Sequence, residues 1–183
     1  MDEYDIFLTL KFNKFISSKL TRQHDTRHKI YRSYIGKIND LIYGRRDTAA
    51  GNGILIEAVQ HKGELGENAH LHARLKTPEF LDAEDMCVLL NTVWKTKFYE
   101  QAAGVKFNHI TQIKNTDAVR NYTTRHGRLE VDLALSNFKK STVKDTAKAQ
   151  QRINRFLAQA HISKTYEQAK FYYKMHEAQA QIS

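Results

Sequence analysis

Two histidines separated by a single residue, His70 and His72, form the pattern in this sequence that is best suited to metal chemistry. Side chains alternate between the two faces of a β-strand, so both imidazoles would lie on one face, about 6.6 Å apart at the backbone. Two imidazole nitrogens can then converge on one ion, at about 2.1 Å each. The alternative is a pair of exposed or core histidines with no ligand role.

An acidic residue inside the preceding apolar run, Glu57, is the candidate for a third metal ligand. A carboxylate on a buried strand is unfavourable unless it is paired or binds a metal. We expect a hairpin register that places Glu57 opposite His72, which creates a two-histidine, one-carboxylate site suited to Mn²⁺ or Mg²⁺. Two alternatives stay open. His61 shares the face of Glu57 by parity and is the rival ligand, and a salt bridge from Glu57 to Arg74 or Lys76 would need no metal.

A tyrosine on a short predicted helix, Tyr122, is the candidate nucleophile. A phenol with a pKa of about 10 is a poor nucleophile unless it is activated. Arg125 follows one helical turn later and would lie beside the tyrosine, where a cation stabilises the phenolate. Taken alone, such a tyrosine more often packs on a helix face, and such an arginine is more often solvated or in contact with phosphate. For His126, a role at the helix end is favoured over the alternative of assisting proton transfer.

The elements that must position these residues follow from the periodicity of the apolar side chains. Strands are predicted over 5–12, 54–60, 69–76, 105–113 and 129–135. Helices are predicted over 27–43, 82–102, 117–125, 142–160 and 164–181. Asp25 or Thr26 would cap the first helix and Gly44 would end it, while Asp82 and Gly104 would bound the second. The predicted fold class is α+β, with a small antiparallel sheet of the ferredoxin or RRM kind, packed helices and a C-terminal helical extension.

The charge of the chain favours a polyanionic partner. The formal net charge is +9, and it is concentrated in residues 11–46 and 137–183, which flank a nearly neutral middle. A strongly basic domain usually binds nucleic acid, although the charge alone is also compatible with a role in solubility. The candidate nucleic-acid contacts are Lys11, Asn13, Arg74, Lys76 and Arg120, with Phe12, Tyr31 and Tyr34 available for stacking on bases.

Cysteine usage and hydropathy bound the compartment. Cys87 is the only cysteine, so no intrachain disulfide forms, and its apolar neighbours favour a small buried side chain. No apolar run approaches the ~20 residues that span a membrane. The N-terminus is acidic and lacks the basic start of a secretory signal. We therefore expect a cytoplasmic protein without a membrane partner.

The order of three motifs resembles the HUH endonucleases, in particular the single-tyrosine replication initiators. An early strand with the sequence Phe-Leu-Thr-Leu-Lys-Phe-Asn (7–13) loosely matches the first motif of that family. His70-Leu71-His72 matches the histidine–hydrophobic–histidine motif, and Tyr122-Thr-Thr-Arg125 matches the tyrosine motif. The resemblance covers about residues 5–127. Arg125 stands where the family more usually has lysine, and the segment from Glu57 to His70 is longer than the family pattern.

The resemblance implies a domain at 1–135 with the HUH fold and a basic helical extension at 136–183. It implies metal-dependent, site-specific nicking and joining of single-stranded DNA through a 5′-phosphotyrosine, which would initiate rolling-circle replication. The metal would be Mn²⁺ or Mg²⁺ on His70, His72 and Glu57, with Tyr122 and Arg125 as catalytic residues. The partner would be single-stranded DNA or a DNA hairpin at a replication origin.

The same resemblance extends to further partners and to the compartment. The apolar positions of the C-terminal helices favour packing on the core or on a second subunit as a homo-oligomer, with DNA contact as the alternative. No ATPase motif occurs in the chain, so no helicase is attached and a host helicase is a candidate partner. The compartment would be the cytoplasm of a bacterium that hosts a phage or plasmid, or the nucleus for a eukaryotic virus. The alternative hypotheses are a non-catalytic single-strand-binding module on an RRM-like sheet and a DNA-packaging protein that uses charge alone.

Overall fold

The structure is a computed structural model that describes residues 4–12, 23–61, 70–98, 109–115, 119, 135–137 and 141–160, without the side chains of 23–25, 60 and 61. Its four strands are β1 (Ile6–Lys11), β2 (Ile56–His61), β3 (His70–Leu75) and β4 (His109–Gln112). Its four helices are α1 (Gln23–Ile42), α2 (Arg45–Ala49), α3 (Ala83–Lys97) and α4 (Thr146–Gln159). The predicted α+β class, a small antiparallel sheet with packed helices, is confirmed.

The strands form one antiparallel sheet in the order β2-β3-β1-β4. The strands β3 and β1 are therefore central, and each has a hydrogen-bonded neighbour on both sides. Thr9 of β1 pairs with His72 of β3 and with His109 of β4. This arrangement puts the histidine motif in the middle of the sheet, where the backbone on both sides restrains it.

One face of the sheet belongs to the hydrophobic core. The residues of this face occupy alternate positions along each strand, and the positions between them also include buried side chains, such as Phe7, Thr9 and His72. The residues of the core face share a single buried cluster with side chains of α1, α3 and α4, and the sheet contributes Ile6, Leu8, Leu10, Ile56, Ala58, Leu71, Ala73, Leu75 and Ile110. The helices therefore cover this face, and the opposite face carries the histidines.

Helix α1 has the predicted apolar stripe but starts earlier than predicted. Every residue of the stripe is buried or packs on the core. The helix begins at Gln23, so Asp25 and Thr26 lie inside it and the predicted caps are wrong. Apolar periodicity marks only the buried part of a helix, and polar helix formers extend it outward. Gly44 follows the helix with a φ of 87°, a conformation that glycine adopts without strain.

Helix α3 confirms the predicted start and corrects the predicted end. The Asp82 carboxylate accepts a hydrogen bond of 2.7 Å from the Asp85 amide, which is an N-cap. The helix ends at Lys97 rather than near Gly104. The Phe98 ring still stacks on Trp94 at 5.7 Å, so the apolar periodicity continues past the last helical residue.

Several other boundaries differ from the predictions or lie beyond the description. The five-residue helix α2 was not predicted, and α4 starts at Thr146 rather than at 142. Of the predicted tyrosine helix at 117–125, only Val119 is described; it is helical, and its amide donates to the Asn115 carbonyl. The predicted helix at 164–181 and most of the predicted strand at 129–135 lie outside the described residues.

The first helix of the predicted C-terminal extension packs into the common core. Ile153, Phe156 and Leu157 of α4 are buried in the same cluster as α1 and the sheet. The guanidinium of Arg152 donates to the Leu41 and Ile42 carbonyls at 3.0 and 2.8 Å, at the C-terminus of α1. A cation at this end of a helix also interacts favourably with the helix dipole. Among the described residues, no helix is both long and apolar enough to cross a membrane.

Two buried tyrosines predict a loss of stability at alkaline pH. Burial raises the pKa of Tyr34 well above its usual value and raises the pKa of Tyr43 to about 12. The Tyr34 hydroxyl donates to the Leu90 carbonyl at 3.0 Å. Because the unfolded chain would ionise both phenols near a pH of about 10, their contribution is fully present below that pH and is lost as the pH rises further.

We expect the urea midpoint of unfolding to fall above a pH of about 10. The Tyr43 hydroxyl donates to the Ser141 carbonyl at 3.2 Å, so Tyr43→Phe should cost about 1 kcal/mol at neutral pH. It should also make the alkaline decline shallower, because one of the two titrating groups is gone. Urea titrations of both proteins from neutral to alkaline pH measure this, and an equally steep decline in the variant would contradict the assignment to Tyr43.

Candidate metal and nucleic-acid site

The polar face of the sheet collects the chemistry-bearing residues of the central strands. Strand β3 places His70, His72 and Arg74 there, because they alternate with the buried Leu71, Ala73 and Leu75. Across β1, the positions paired with these three are Lys11, Thr9 and Phe7. The centre of this face is buried, because Phe7, Thr9 and His72 are each at most 6% exposed.

The two histidines converge on each other, as their spacing predicts. The Nε2 atoms of His70 and His72 are 3.0 Å apart, and the rings meet edge to face at 4.6 Å. Two nitrogens that each lie about 2.1 Å from one ion, with an N–metal–N angle of about 90°, would be about 3.0 Å apart. The pair therefore fits two adjacent positions of one divalent ion. Without a metal, the same distance suits an N–H···N hydrogen bond between the rings.

His72 is held from both sides by residues of β1. Its Nδ1 atom lies 2.9 Å from the Thr9 hydroxyl, and the Phe7 ring stacks on it at 5.4 Å. When Nδ1 carries the proton and donates to Thr9, the Nε2 lone pair is free to bind a metal, and the ring orientation is fixed. His72 is 2% exposed. Histidines that bind a metal usually hold a defined partner on their second ring nitrogen, and His72 meets this condition.

The predicted register of the β2–β3 hairpin is wrong by two residues. Glu57 lies opposite Arg74 rather than His72, and Val59 takes the position opposite His72. Glu57 still faces the histidine side, since a shift by two residues conserves the face. The Arg74 guanidinium donates to the Glu57 carboxylate at 2.6 Å, and both side chains are less than one-fifth exposed. The structure thus shows the salt bridge that was the alternative to metal binding by Glu57.

The register brings the rival ligand into the nearer position. His61 is the residue of β2 that pairs with His70. Within the described part of the chain, no three side chains of the metal-binding types come together, and the His61 side chain is outside that part. His70 and His72 are therefore a described pair, and the third ligand remains a prediction.

The structure describes only some of the other predicted site residues. Lys11 ends β1 opposite His70. Lys76 lies just beyond the far end of β3, where its ammonium is 2.9 Å from the Asp5 carboxylate. Asn13, Arg120, Tyr122 and Arg125 lie outside the described residues.

The predicted base-stacking role of Phe12, Tyr31 and Tyr34 is wrong. These rings are at most 4% exposed and belong to the core. Tyr34 and Phe12 pack edge to face against Trp94, with ring centroids 5.2 and 6.0 Å away. The stripe that predicts helix α1 also dictates this burial, because a tyrosine in an apolar stripe turns toward the core.

Thr9 and Phe7 are site residues for which the sequence predicts no individual role. Both belong to the segment 7–13, but nothing local in the sequence shows that they touch His72. That contact depends on the pairing of β1 with β3, which are more than 60 residues apart.

Removing the Thr9 hydroxyl should weaken metal binding without unfolding the protein. Valine has the shape of threonine and suits a strand, but it gives His72 Nδ1 no partner. We expect Thr9→Val to lower Mn²⁺ affinity by about 10- to 100-fold in calorimetric titrations. Thr92→Val, the same change at a buried position of α3, is the control and should bind like the wild type. Equal affinity in Thr9→Val would show that the hydroxyl does not support the ligand.

Comparisons with known proteins add no relative to this geometry. No protein-family model matches the sequence, and searches of the curated proteins and of the solved structures find no match either.

Proposed function

We propose that this chain is a metal-dependent endonuclease that nicks and rejoins single-stranded DNA, with a divalent ion on His70 and His72. The observation that carries the proposal is the convergence of the two Nε2 atoms at 3.0 Å in the middle of the sheet. The metal would be Mn²⁺ or Mg²⁺, as the resemblance to HUH endonucleases implies, and either ion keeps positions for phosphate oxygens.

The residues of the sheet hold and orient the site. His70 and His72 would supply Nε2 atoms as ligands. The Thr9 hydroxyl would accept a hydrogen bond from the Nδ1 proton of His72, which leaves the Nε2 lone pair for the metal. When bound, the ion would withdraw charge from the phosphorus of the scissile phosphate. The Phe7 ring excludes water from one side of His72 and restrains its plane.

The chemical step is assigned to Tyr122 through the resemblance to HUH endonucleases. The phenolic oxygen attacks phosphorus and forms the tyrosyl O–P bond, while the bond from phosphorus to the 3′-oxygen breaks. The phenol gives up its proton and the leaving 3′-oxygen takes one up, which yields a free 3′-hydroxyl and a 5′-phosphotyrosine. Arg125 stabilises the developing negative charge. Rejoining reverses the step, and this chemistry suits initiation of rolling-circle replication.

The polar face also supports contact with an unpaired strand. Lys11 lies at the end of a central strand opposite His70. Arg74 is held by Glu57 and lies over the Tyr4 ring at 5.0 Å, so its position is well defined. Cations at fixed positions beside a metal site suit the phosphate groups of a DNA strand.

A non-catalytic RRM-like module is less well supported. Such modules stack bases on exposed aromatic side chains of the sheet. In the described sheet, the aromatic residue beside the histidines is Phe7, which is 6% exposed and already stacked on His72. The aromatic side chain on this face therefore does not form a stacking platform for bases.

The register predicts that His61 rather than Glu57 is the third ligand. Glu57 is engaged by Arg74, whereas His61 pairs with His70. We expect His61→Ala to lower Mn²⁺ affinity by at least about tenfold, while Glu57→Gln stays within about threefold of the wild type.

The experiment is a calorimetric Mn²⁺ titration of the wild type and of both variants, with Gln60→Ala as the control on the same strand. One bound ion per wild-type chain supports the proposal, and no binding would contradict it. A large loss in Glu57→Gln with normal binding in His61→Ala would return the ligand role to Glu57.

A further inference from the structure

Helix α4 carries a row of cations that the candidate site does not use. Lys144, Lys148, Arg152 and Arg155 are spaced by four, four and three residues, so they follow one side of the helix and the turn before it. At 1.5 Å per residue, the row is about 16 Å long. Lys148 and Arg155 are exposed, and they lie one turn to either side of Arg152.

Arg152 fixes where this row lies. Its guanidinium donates to the last carbonyls of α1. Three guanidinium atoms also lie 3.6–3.8 Å from the point where a Cβ atom on Gly44 would stand. Arg45 and Arg46, both exposed, follow Gly44 directly. We call Arg45, Arg46, Lys148 and Arg155 the basic corner. It joins cations that are about one hundred residues apart in the sequence.

The acidic residues near the basic corner leave a positive excess. Lys144 pairs with Asp47 at 3.1 Å, and Lys148 pairs with Asp145 at 3.0 Å. Both lysine side chains are more than 70% exposed, and exposed pairs of this kind are weak and exchange readily for another anion. The corner therefore presents solvent-facing cations to a polyanion.

The aromatic side chains of these helices are turned away from the cations. Tyr31, Tyr34 and Phe156 are all buried, and so is Tyr43 between α1 and α2. Proteins that bind single strands combine cations with exposed aromatics, on which unpaired bases stack. The described residues of α1, α2 and α4 offer cations without exposed aromatic rings. This arrangement suits the regularly spaced backbone phosphates of a double helix.

We propose that the basic corner is a second nucleic-acid surface, which binds the backbone of duplex DNA. Helix α4, which carries Lys148 and Arg155, packs on the core face of the sheet, and Arg152 joins it to the end of α1 just before Arg45 and Arg46. His70 and His72 lie on the opposite face. The two surfaces are therefore distinct, and duplex binding at the corner requires neither the metal nor Tyr122.

Fluorescence anisotropy with a labelled duplex, in EDTA and over a range of salt concentrations, tests the proposal. The variants are Arg45→Ala/Arg46→Ala and Lys148→Ala/Arg155→Ala, which remove exposed cations from two different helices. Each should lower duplex affinity by about tenfold and reduce the slope of log K against log salt by about 1.8, the value for two lost phosphate contacts. A single strand of the same length should lose less than about threefold.

The matched control is Lys97→Glu, which lowers the net charge by the same two units at an exposed position of α3. It should keep the wild-type slope. Wild-type binding by both double variants, or an equal loss in the control, would overturn the proposal. An equal loss for the single strand, or tighter binding to phosphatidylserine vesicles than to the duplex, would overturn the assignment to duplex DNA. Because the assay contains no divalent metal, its outcome is independent of nicking.

Discussion

His72→Ala is expected to abolish Mn²⁺ binding and to lower the rate of DNA nicking by at least about a thousandfold, equivalent to about 4 kcal/mol in the activation free energy. The variant removes one of two converging nitrogens, and with it the imidazole that Thr9 orients. The measurements are a calorimetric Mn²⁺ titration and single-turnover nicking of a labelled single strand.

The control for this variant is His109→Ala. His109 is exposed and lies on β4 opposite Thr9, and it does not join the pair formed by His70 and His72. It should bind Mn²⁺ like the wild type. Because His72 is buried, His72→Gln serves as a second variant that fills more of the space. Full Mn²⁺-dependent nicking by either folded His72 variant would contradict the assignment of this residue as a ligand.

Tyr122→Phe is expected to eliminate covalent attachment to DNA while leaving binding intact. The substitution removes only the phenolic oxygen, which is the atom that would form the bond to phosphorus. We expect no adduct in a denaturing gel. The affinities for Mn²⁺ and for single-stranded DNA should stay within about twofold of the wild type, because ground-state binding does not need the attacking oxygen.

Tyr166→Phe provides a matched control on a predicted helix outside the resemblance, and it should form the adduct normally. A covalent product of normal yield in Tyr122→Phe would show that another residue is the nucleophile. Loss of both binding and adduct would instead indicate that Tyr122 is needed for the fold.

The strands and long helices were predictable because their residue types and spacing reflect burial. The β-branched and aromatic residues of β1, the alternation in β3 and the three-and-four spacing in α1 predict elements that agree with the structure to within a few residues. Helix α2 was not predictable in this way, because its sequence Arg-Arg-Asp-Thr-Ala has no apolar periodicity and none of its residues is buried.

The candidate site was predictable in composition but not in register. Alternation alone puts His70 and His72 on one face, and that expectation is confirmed. The sequence of the segment between β2 and β3 does not determine the register of the hairpin. The predicted register therefore differs from the observed one by two residues, and Glu57 pairs with Arg74 instead of His72. The contact of Thr9 with His72 was beyond local analysis, because it arises from strands distant in sequence.

The most direct test of the proposed function is a denaturing gel of the wild type with labelled single-stranded oligonucleotides drawn from the genome that encodes it, in Mn²⁺ or in EDTA. A shifted, covalent protein–DNA band that forms in Mn²⁺, disappears in EDTA and is absent from Tyr122→Phe is the predicted result. Binding of the same oligonucleotides, including the cognate origin, without any adduct under either condition would contradict the nickase proposal and favour a non-catalytic binding module.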